Sequence, residues 1–559
     1  MISGYSELRD RVRWETGREL LGLGPSSPFN VCERVVDRQL EIHPEKTALI
    51  ARDHENRRKV LSFTDLHAGV SRFARVLDEL GIQKGDRVFT LMEPYPELYF
   101  SLLGTIRCGA IAGPLFSAFG AEAVCDRLTD SGARVLVTTA HHLHKVRANI
   151  KALDSLEHVL VLGDADLGER ERALSALLKA AEPSRDPTPT SDQDPMLIHY
   201  SSGTTGKPKG VLHVHEALVG HAVTARFVLD LGLEDTYWCT ADPGWVTGTS
   251  YGIFGPWANG VTQVAYVGGF GSEAWYRIIE AERVTVWYTS PTALRMLMRD
   301  GTEVAHRHDL SSLRYVASVG EPLNPEVIRW GEEAYGHIIR DNWWQTETGC
   351  IQIANYPFME VQPGSMGHPF PGVEATILDP VTHEPVPPKQ EGLLALKPPW
   401  PSMFRTYWNR PELYAEKFRN GWYITGDRAY MGEDGAFWFV GRDDDVINTS
   451  GHLVGPFEVE SALLQHVDVV EAAAFPIPAT DSGQAVAVKI VLRGGAIADA
   501  ALLRDLRTLV RRQVGGHAVP REIQVVDRLP RTRSGKIMRR VARAEFLGLP
   551  LGDLSALEE

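Results

Sequence analysis

Short apolar runs alternate with helical patterns along most of the chain, and this alternation limits its possible folds more than any other feature. Residues 86–92 have the pattern of a strand, followed by a helical pattern over 95–108 and a second apolar run over 109–116. The strand pattern returns at 133–139 and at 158–163. Strands that are separated by helices pair in parallel and lie beneath those helices. We therefore predict an α/β fold with packed, mostly parallel sheets covered by helices.

The chain is long enough for more than one domain. With 559 residues, 43% of them hydrophobic, it can bury more core than one domain of usual size. Its character changes at the charged, strand-breaking cluster GRDDD, residues 441–445. Beyond it, 485–494 alternates like a strand and 500–514 has the pattern of an amphipathic basic helix. We predict a large N-terminal domain over 1–443 and a small α+β domain over 444–559, and an exposed connector over 182–194.

Charge, cysteine content and the N-terminal sequence exclude several classes of protein. The formal net charge of −14 argues against general nucleic-acid binding. Five widely spaced cysteines without a CxxC pair predict reduced thiols and a cytoplasmic protein. The N-terminus lacks the apolar core of a signal peptide. The most apolar stretch, 102–116, is interrupted by Arg107 and is too short to cross a membrane, so we expect neither nucleic acid nor membrane as a partner.

The strongest single motif is YSSGTTGKPKG, residues 200–210, which follows a predicted strand at 195–200. Glycines let the backbone approach an anion closely, while hydroxyls, backbone N–H groups and lysines supply donors. The expected phosphate-binding residues are Ser201, Ser202, Gly203, Thr204, Thr205, Gly206, Lys207 and Lys209. A Walker A loop requires GxxxxGK[ST], whereas here Gly203 and Gly206 are too close and Pro208 follows Lys207. A flexible loop with solvated lysines is the alternative, which the density of donors disfavours.

Six motifs in a fixed order make the chain resemble the adenylate-forming superfamily, which contains acyl-CoA synthetases, luciferases and peptide-synthetase adenylation domains. They are the loop at 200–210, SVGEPLN from Ser318, WWQTETG from Trp343, YITGDRA from Tyr423, GRDDDVINTSGH from Gly441 and PRTRSGKIMRR from Pro530. Residues 113–124 and 244–256 are similar to the acetyl-CoA synthetase branch. The resemblance covers nearly the whole chain and implies the use of ATP, coenzyme A and Mg²⁺.

The implied reaction is the ligation of a short carboxylic acid to coenzyme A. A carboxylate is a poor acyl donor because its leaving group would be oxide. Its attack on the α-phosphate of ATP gives an acyl-AMP and pyrophosphate, and a thiol then displaces AMP. The protein must bring two anions together and stabilise the charge that develops on phosphate, for which lysine, arginine and Mg²⁺ are suited.

By resemblance, the nucleotide site is formed by residues of the third and fourth motifs and their neighbours. They are Gly320, Glu321, Pro322, Asp341, Asn342, Trp343, Trp344, Gln345 and Thr346. Glu347 corresponds to the acid near the ATP-bound Mg²⁺. Asp427 has the chemistry to accept hydrogen bonds from ribose hydroxyls, and Arg442 can donate to ribose or phosphate oxygens.

Trp344 determines the expected size of the acid. In the resembled branch the second Trp of WWQTETG closes the acyl pocket, and Val246, Thr247 and Val319 match the other pocket positions. A wide indole leaves room for acetate or propionate only, since overpacking by a longer chain forces strain. Favourable contacts alone would discriminate by only about 1–3 kcal/mol for each methylene. The alternative is that Trp344 packs in the core.

The C-terminal segment contains a predicted catalytic lysine. Lys536, flanked by Arg531, Arg533, Arg539 and Arg540, matches the family lysine that enters the site for adenylation. It would place a point charge near the carboxylate and the α-phosphate, acting with Glu347 and Arg442. Acylation of Lys536 is therefore a plausible off-switch, with a lysine acetyltransferase and deacetylase as partners.

Asp444 matches the hinge about which the C-terminal domain turns between the two half-reactions. Ser450 and Gly451 match the loop that lines the pantetheine tunnel, and Thr247 is assigned to the same coenzyme A site. Arg511 matches a basic position near the coenzyme A phosphates, although it equally suits a solvated helix face.

His466, with the backbone at Leu464 and Val469, matches a metal position in some members of the superfamily. A lone histidine is more often a packed or surface side chain, so the sequence leaves both interpretations open.

Leu453 departs from the family pattern. The related SGHR pattern has an arginine that reaches the adenylate phosphate, whereas this chain has Ser450-Gly451-His452-Leu453. Losing one charged hydrogen bond to the phosphate removes about 1.5–3 kcal/mol of stabilisation of the bound adenylate. Either another arginine substitutes, or adenylation is weakened.

Three alternatives to a short-chain synthetase therefore stay open. One is a medium-chain acyl-CoA synthetase, which the motif GPFEVE at 455–460 favours and Trp344 opposes. The second is a weakly active or non-catalytic nucleotide-binding relative, which only Leu453 favours. The third is an enzyme that passes its acyl group to a carrier protein, although Gly451 and Arg511 suit free coenzyme A and no carrier domain is expected.

Overall fold

The computed structural model describes residues 2–183, 186–201, 208–443, 445–449, 452–479, 483–532 and 536–551. Outside this description lie the predicted positions Ser202, Gly203, Thr204, Thr205, Gly206, Lys207, Asp444, Ser450, Gly451 and Arg533, and the side chain of Leu453.

Most of the chain forms a large body of strands and helices. Its strands are β1 (Thr47–Arg52), β2 (Arg58–Ser62), β3 (Arg87–Leu91), β4 (Ile111–Leu115), β5 (Val135–Thr139), β6 (His158–Leu162), β7 (Glu171–Ala173), β8 (Pro195–Ser201), β9 (Lys209–Val214), β10 (Thr236–Cys239), β11 (Thr262–Tyr266), β12 (Val286–Thr289), β13 (Tyr315–Ser318), β14 (Ile339–Trp343), β15 (Ile353–Ala354), β16 (Ser365–Pro369), β17 (Ala375–Leu378), β18 (Gly392–Leu396), β19 (Thr406–Tyr407), β20 (Phe418–Arg419), β21 (Trp422–Met431) and β22 (Phe437–Arg442).

The helices of the body cover these strands. They are α1 (Tyr5–Arg11), α2 (Trp14–Leu20), α3 (Arg38–Ile42), α4 (Phe63–Glu79), α5 (Pro96–Arg107), α6 (Ala121–Ser131), α7 (His144–Arg147), α8 (Leu174–Ala180), α9 (Ala217–Phe227), α10 (Val246–Thr249), α11 (Gly255–Ala258), α12 (Ser272–Glu282), α13 (Pro291–Asp300), α14 (Thr302–Ala305), α15 (Pro325–Tyr335) and α16 (Pro411–Ala415). Glu33–Asp37 and Ser250–Phe254 are π-helical, and Ile150–Ala152 is a 3₁₀ turn.

A smaller C-terminal module follows the body. It contains the strands β23 (Ile447–Thr449), β24 (His452–Val454), β25 (Val469–Ala479), β26 (Gly483–Leu492) and β27 (Glu522–Val525) and the helices α17 (Pro456–Leu463), α18 (Ala500–Gln513) and α19 (Arg539–Leu547), with a 3₁₀ turn at Gly516–Ala518. The strands form a sheet of order β24-β23-β26-β25, with β27 beside β26. Leu502, Leu506 and Val510 of α18 pack into its core. This arrangement confirms the predicted α/β class with a small C-terminal domain.

Two sheets organise the body. The order of the larger is β17-β18-β21-β22-β16-β15-β14-β13-β12-β10-β11-β1-β2, with β20 beside β21. The second has the order β19-β9-β8-β4-β3-β5-β6-β7. Every residue of β4 and of β5 is buried, as expected for parallel strands covered on both faces. The five elements that the alternating pattern predicts between 86 and 163 are present, each within two residues of the predicted bounds.

The larger sheet is less parallel than the sequence pattern predicts. Its strands from β1 through β11, β10, β12 and β13 to β14 pair in parallel, but β14 to β18, β21 and β22 pair antiparallel. The antiparallel strands carry no helix longer than α16 between them in the described part of the chain, so no crossover connection exists that would allow parallel pairing.

One smaller expectation is confirmed and another needs correction. The GRDDD cluster ends a strand, since β22 continues through its first two residues and stops at Arg442. The connector at 182–194 is not exposed throughout, since Thr190 is buried and its Oγ1 donates to the carbonyl oxygen of Phe29 at 2.9 Å.

Within the described ranges, none of the helices combines the length and the apolar character that crossing a membrane requires. All five cysteines carry free thiols, as their wide spacing and odd number predict.

Candidate active site

The carboxyl ends of the parallel strands β12, β13 and β14 open into a cleft of about 2420 Å³ between the body and the C-terminal module. Loops that follow parallel strands gather at one edge of a sheet, which is where α/β proteins bind ligands. The cleft is lined by most of the described residues that the motifs single out: Ser201, Lys209, Val246, Thr247, Val319, Gly320, Glu321, Pro322, Asp341, Asn342, Trp343, Trp344, Gln345, Thr346, Glu347, Asp427, Arg442 and Lys536. Residues that are up to 335 positions apart in sequence, from Ser201 to Lys536, therefore share one cavity.

Asp427 is the centre of a hydrogen-bond network on β21. Arg442 Nη1 donates to its Oδ1 at 2.8 Å. Trp343 Nε1 and Gln345 Nε2 both donate to Oδ2, at 3.0 and 2.9 Å. The register of β21 and β22 places Asp427 opposite Arg442, so the sheet itself determines this ion pair.

Glu347 lies at the phosphate side of the cleft, after β14. Its Oε1 accepts a hydrogen bond from the Tyr407 hydroxyl at 2.8 Å. Within the described residues Oε2 has no hydrogen-bond partner, and it is available to a ligand in the cleft. Carboxylate oxygens beside a polyphosphate are the protein ligands that Mg²⁺ uses, so this side chain fits the predicted metal.

Glu321 follows β13 and accepts hydrogen bonds from two side chains. Thr292 Oγ1 donates to its Oε1 at 2.6 Å, and Arg295 Nη2 donates to Oε2. Thr292 and Arg295 are on α13, whose N-terminus is capped by Ser290 Oγ accepting from the backbone N of Ala293 at 3.2 Å. Burial raises the pKa of Glu321, but Arg295 and the hydrogen bonds outweigh it and hold the pKa below its usual value.

Lys536 enters the cleft from the C-terminal module. Two hydrogen bonds join it to Thr532: the Thr532 backbone N donates to the Lys536 carbonyl oxygen at 2.7 Å, and the Lys536 backbone N donates to Thr532 Oγ1 at 3.0 Å. Its side chain retains solvent access through the cleft although protein surrounds it. Desolvation lowers the pKa of Lys536; Glu321 opposes the shift and Arg442 adds to it. The structure thus brings the predicted catalytic lysine to Glu321 and Arg442.

Trp344 forms part of the cleft wall and is only 8% exposed. Its Nε1 donates to the hydroxyl of Tyr288 at 3.3 Å. Its ring packs edge-on against Tyr251, with ring centroids 5.1 Å apart. The indole is therefore packed against Tyr251 and hydrogen-bonded to Tyr288, and it lines the cleft together with Val246 and Val319.

Asp341 and Gly320 have properties that suit a nucleotide base. Asp341 is 7% exposed, and its Oδ1 has no hydrogen-bond partner in the described chain. Burial raises the pKa of this carboxyl well above its usual value. Gly320 has φ +98°, a backbone conformation that strains other residues, and an added Cβ would point into open space.

The flanks of the phosphate loop are joined by contacts that the sequence did not predict. Tyr200 OH donates to Asp130 Oδ2 at 2.7 Å, and Arg410 Nη2 donates to Asp130 Oδ1 at 3.0 Å. Arg410 Nη1 also donates to the carbonyl oxygen of Pro208 at 2.9 Å. Arg410 thus contacts Pro208, directly after the 202–207 segment, and is linked through Asp130 to Tyr200 on the other flank.

Two predicted positions lie apart from the cleft lining. Arg511 is exposed on α18, as either of its two interpretations allows. His466 Nδ1 accepts from the backbone N of Asp468 at 3.2 Å. No cluster of three His, Cys, Asp or Glu side chains suited to a metal occurs in the described ranges, although backbone ligands were part of the prediction for His466. Both roles stay predictions.

Sequence reasoning missed four residues, of which Lys417, Tyr407 and Arg295 line the cleft and Arg410 holds the flanks of the phosphate loop. Each is a single residue of a common type between motifs, and no spacing distinguishes it. Only the pairing of β19 with β9 brings Tyr407 next to the phosphate loop.

Comparison with known proteins identifies relatives of the whole chain. Residues 36–408 match the family described as AMP-binding enzyme, and residues 458–536 match the AMP-binding enzyme C-terminal domain. The acetyl-coenzyme A synthetase of Bacillus subtilis (strain 168) is 48% identical over 562 residues, which cover 100% of this chain and 98% of that protein. That of Gemmatimonas aurantiaca is 38% identical over 98% of this chain and 88% of its own length.

Two solved structures are similar over nearly the full length. An acyl-CoA synthetase from Brucella canis has a TM-score of 0.77 and 35% identity, over 98% of this chain and 100% of that one. An anthranilate CoA ligase in complex with anthranoyl-AMP has a TM-score of 0.85 and 27% identity, over 93% of this chain and 97% of that one.

Proposed function

Because the chain belongs to the family of AMP-binding enzymes and is an AMP-forming acid–thiol ligase, we propose that its acid substrate is acetate, with propionate as a second substrate. The relatives named acetyl-coenzyme A synthetase align with it over nearly their whole length, which supports this choice. The single observation that carries the choice of acetate is the position of Trp344 in the cleft wall. Its Nε1 donates a hydrogen bond to Tyr288 OH at 3.3 Å.

Trp344 limits the acid to two or three carbons. Its indole is supported from behind by Tyr251 and Tyr288, so it cannot retreat without opening the packed core. A longer chain would have to displace this support, and overpacking of a dense core typically costs about 1–3 kcal/mol. Val246, Thr247 and Val319 complete the acyl pocket in this proposal.

In the first half-reaction a carboxylate oxygen of acetate attacks the α-phosphorus of ATP. The bond from the α-phosphorus to the bridging oxygen breaks, and pyrophosphate leaves with the electron pair. Lys536 provides a positive charge near the reacting groups, and Arg442 provides a second one beside it. The segment 201–209, with Ser201 and Lys209 lining the cleft, binds the phosphates.

The nucleotide is held by residues that the protein has already oriented. Asp341 has an unpartnered, buried Oδ1 that suits the amino group of adenine. Asp427 and Arg442 bind the ribose hydroxyls. Glu347 would hold Mg²⁺ through its free Oε2, and the ion when bound neutralises negative charge on the phosphates.

In the second half-reaction the coenzyme A thiol sulfur attacks the acyl carbon, the bond to the AMP oxygen breaks and the thiol proton is released. The C-terminal module must turn at Asp444 to withdraw Lys536 and admit the thiol, with the domain boundary at 443/444. Asn324 Nδ2 donates to Ser461 Oγ at 2.8 Å across the two parts, and this contact must break in the turn. Thr247, Ser450, Gly451 and Arg511 then bind coenzyme A.

The proposal is tested by AMP formation with coenzyme A across acetate, propionate, butyrate and hexanoate. We expect the wild type to prefer acetate, and Trp344→Gly to shift the preference toward butyrate and hexanoate. Trp344→Phe is the matched control: it removes the Nε1 donor but keeps most of the bulk, and should retain the short-acid preference. A wild type that prefers hexanoate contradicts the proposal and favours a medium-chain enzyme. The absence of AMP with every acid would favour a non-catalytic relative.

Acylation of Lys536 is the regulation that this site supports. The side chain is reachable through the cleft, and its charge belongs to the first half-reaction only. Lysine acetylation would remove that charge and slow adenylation, while transfer from supplied acetyl-AMP to coenzyme A should continue. A purified protein that carries acetyl-lysine at 536 should therefore lose ATP–pyrophosphate exchange and recover it on treatment with a deacetylase. Equal loss of both half-reactions would contradict this role.

A further inference from the structure

Lys417 is a cationic residue of the cleft to which no motif assigns a role. It lies between α16 and β20, and its backbone is fixed on both sides. Its N donates to the carbonyl oxygen of Tyr414 at 3.0 Å, and its own carbonyl oxygen accepts from Ile424 N at 2.7 Å. The start of its side chain is therefore held by the hairpin that carries Asp427, and the side chain lines the cleft.

The Lys417 ammonium lies beside the Arg442–Asp427 pair. A Cβ built on Gly426 would be 4.0 Å from Lys417 Nζ and 3.3 Å from Arg442 Nη2. Lys417 also interacts electrostatically with Glu347 and Lys209. Lys536 interacts with Arg442 and Asp427 too, but its further neighbours are Glu321 and Arg539. The two lysines thus approach the ion pair from different sides, Lys417 from the side of Glu347 and the phosphate loop.

The carboxylates around Lys417 make their hydrogen bonds with other groups, although Glu347 Oε2 stays open to the cleft. Asp427 accepts from Arg442, Trp343 and Gln345, and Glu347 accepts from Tyr407. Within the described ranges Lys417 Nζ makes no hydrogen bond or ion pair. A confined ammonium without a partner is costly, and burial accordingly lowers the pKa of Lys417. An anion that enters the cleft would remove this cost.

We propose that Lys417 binds the β- and γ-phosphate oxygens of ATP and holds pyrophosphate as it leaves. This inference rests on the proposed function and adds a residue to it. Lys209 and Glu347, its neighbours, are on the polyphosphate side, whereas Lys536 serves the α-phosphate and the carboxylate. Charge on the leaving group grows as its bond to the α-phosphorus breaks, so a cation there acts on the transition state of the first half-reaction alone.

The test compares Lys417→Met and Lys417→Arg with the wild type. Direct titration of the protein with Mg²⁺-pyrophosphate by calorimetry measures binding without any acid or turnover. We expect Lys417→Met to weaken pyrophosphate binding about tenfold or more, since one charged hydrogen bond is lost, and Lys417→Arg to recover part of the affinity. ATP–pyrophosphate exchange should fall in parallel, while transfer of acetyl from supplied acetyl-AMP to coenzyme A should stay within about twofold.

Lys397→Met is the matched control. Lys397 is an exposed lysine whose Nζ lies 4.7 Å from the Trp422 ring centroid, on the same sheet but outside the cleft lining. It should leave pyrophosphate binding unchanged. Pyrophosphate affinity within twofold of wild type for Lys417→Met, with a wild-type circular dichroism spectrum, overturns the inference. An equal loss of both half-reactions also overturns it. If the wild type activates no acid, the proposed function fails, but the titration still decides the role of Lys417.

Discussion

Arg442 and Asp427 form an ion pair in which Nη1 donates to Oδ1 over 2.8 Å, at opposed positions of two antiparallel strands. Trp343 and Gln345 occupy Oδ2 of the same carboxylate. A carboxylate has about four acceptor positions, so three of them are already taken by the protein. If Asp427 binds both ribose hydroxyls, at least one of these three donors must therefore move. Arg442 is the one to expect, because its side chain is more exposed than that of Trp343.

Asp427→Asn tests this network. The amide nitrogen would face either Arg442 or the pair of Trp343 and Gln345, so a donor meets a donor in each orientation. We expect kcat/KM for ATP to fall about 10- to 100-fold, corresponding to about 1.5–3 kcal/mol for a charged hydrogen bond. ATP–pyrophosphate exchange measures it. Asp443→Asn, which changes an exposed carboxylate paired with Arg428 at 2.6 Å, is the control and should change the rate little. An Asp427→Asn enzyme within threefold of wild type would contradict the expected role.

Tyr288→Phe tests the support behind Trp344. The Tyr288 hydroxyl accepts from Trp344 Nε1 at 3.3 Å and donates to Asn342 Oδ1 at 2.8 Å, so its removal leaves two buried groups without this partner. We expect a loss of about 1–3 kcal/mol in the free energy of unfolding, measured with urea, and a higher ratio of butyrate to acetate activity. Tyr237→Phe is the control, since that buried hydroxyl has no oxygen or nitrogen partner in the described chain. Equal stability of the two variants would mean that the hydroxyl does not support the wall.

Arg410→Met tests the connection between the flanks of the phosphate loop. Arg410 bonds to Pro208 O and to Asp130, which holds Tyr200. Without Arg410, Pro208 loses its link through Asp130 to Tyr200 on the other flank of the 202–207 segment. We expect KM for ATP to rise about tenfold, in line with the loss of one or two charged hydrogen bonds. Arg419→Met is the control. Arg419 is an exposed arginine on β20, and its loss should leave KM for ATP unchanged. Loss of acetyl transfer from supplied acetyl-AMP would indicate a general structural defect instead.

The parallel half of the fold could be predicted because its strands and helices alternate along the chain, so local patterns determine their pairing. The antiparallel half could not, since β16 pairs with β22 about 70 residues further on and no local signal records this partner. The site shows the same division. Contiguous motifs such as 343–349 end strands and enter the cleft together, whereas Arg410 and Asp130 are 280 residues apart and meet only through the folded sheet. Lys417 and Tyr407 were missed for the same reason.

Glu458 of the C-terminal module is repelled by the charge of Glu391 on the body, and this repulsion predicts a pH-dependent stability. Burial, together with the nearby charge of Glu391, raises the pKa of Glu458 from its usual value near 4.5 to about 7. Burial also raises the pKa of Glu391, which Arg428 opposes, and Tyr430 lies beside both carboxyls. Because the folded state holds the Glu458 proton more tightly than the unfolded state, the contribution of Glu458 to stability is fully present below about pH 4.5 and is lost as pH rises through about 7.

Glu458→Gln removes this titration while keeping the shape of the side chain. We compare the free energy of unfolding of the variant with that of the wild type at two pH values. The difference in favour of the variant should be about 2 kcal/mol larger at pH 8 than at pH 5, because the wild type must ionise the Glu458 carboxyl only at the higher pH. Urea unfolding at the two pH values measures the difference. Glu433→Gln is the control, at an exposed carboxylate paired with Lys389 at 2.8 Å. Its effect on the free energy of unfolding should be the same at both pH values. A Glu458→Gln difference that is the same at both pH values would mean that Glu458 ionises normally in the folded protein, and that the contact between the two carboxyls does not oppose docking of the C-terminal module.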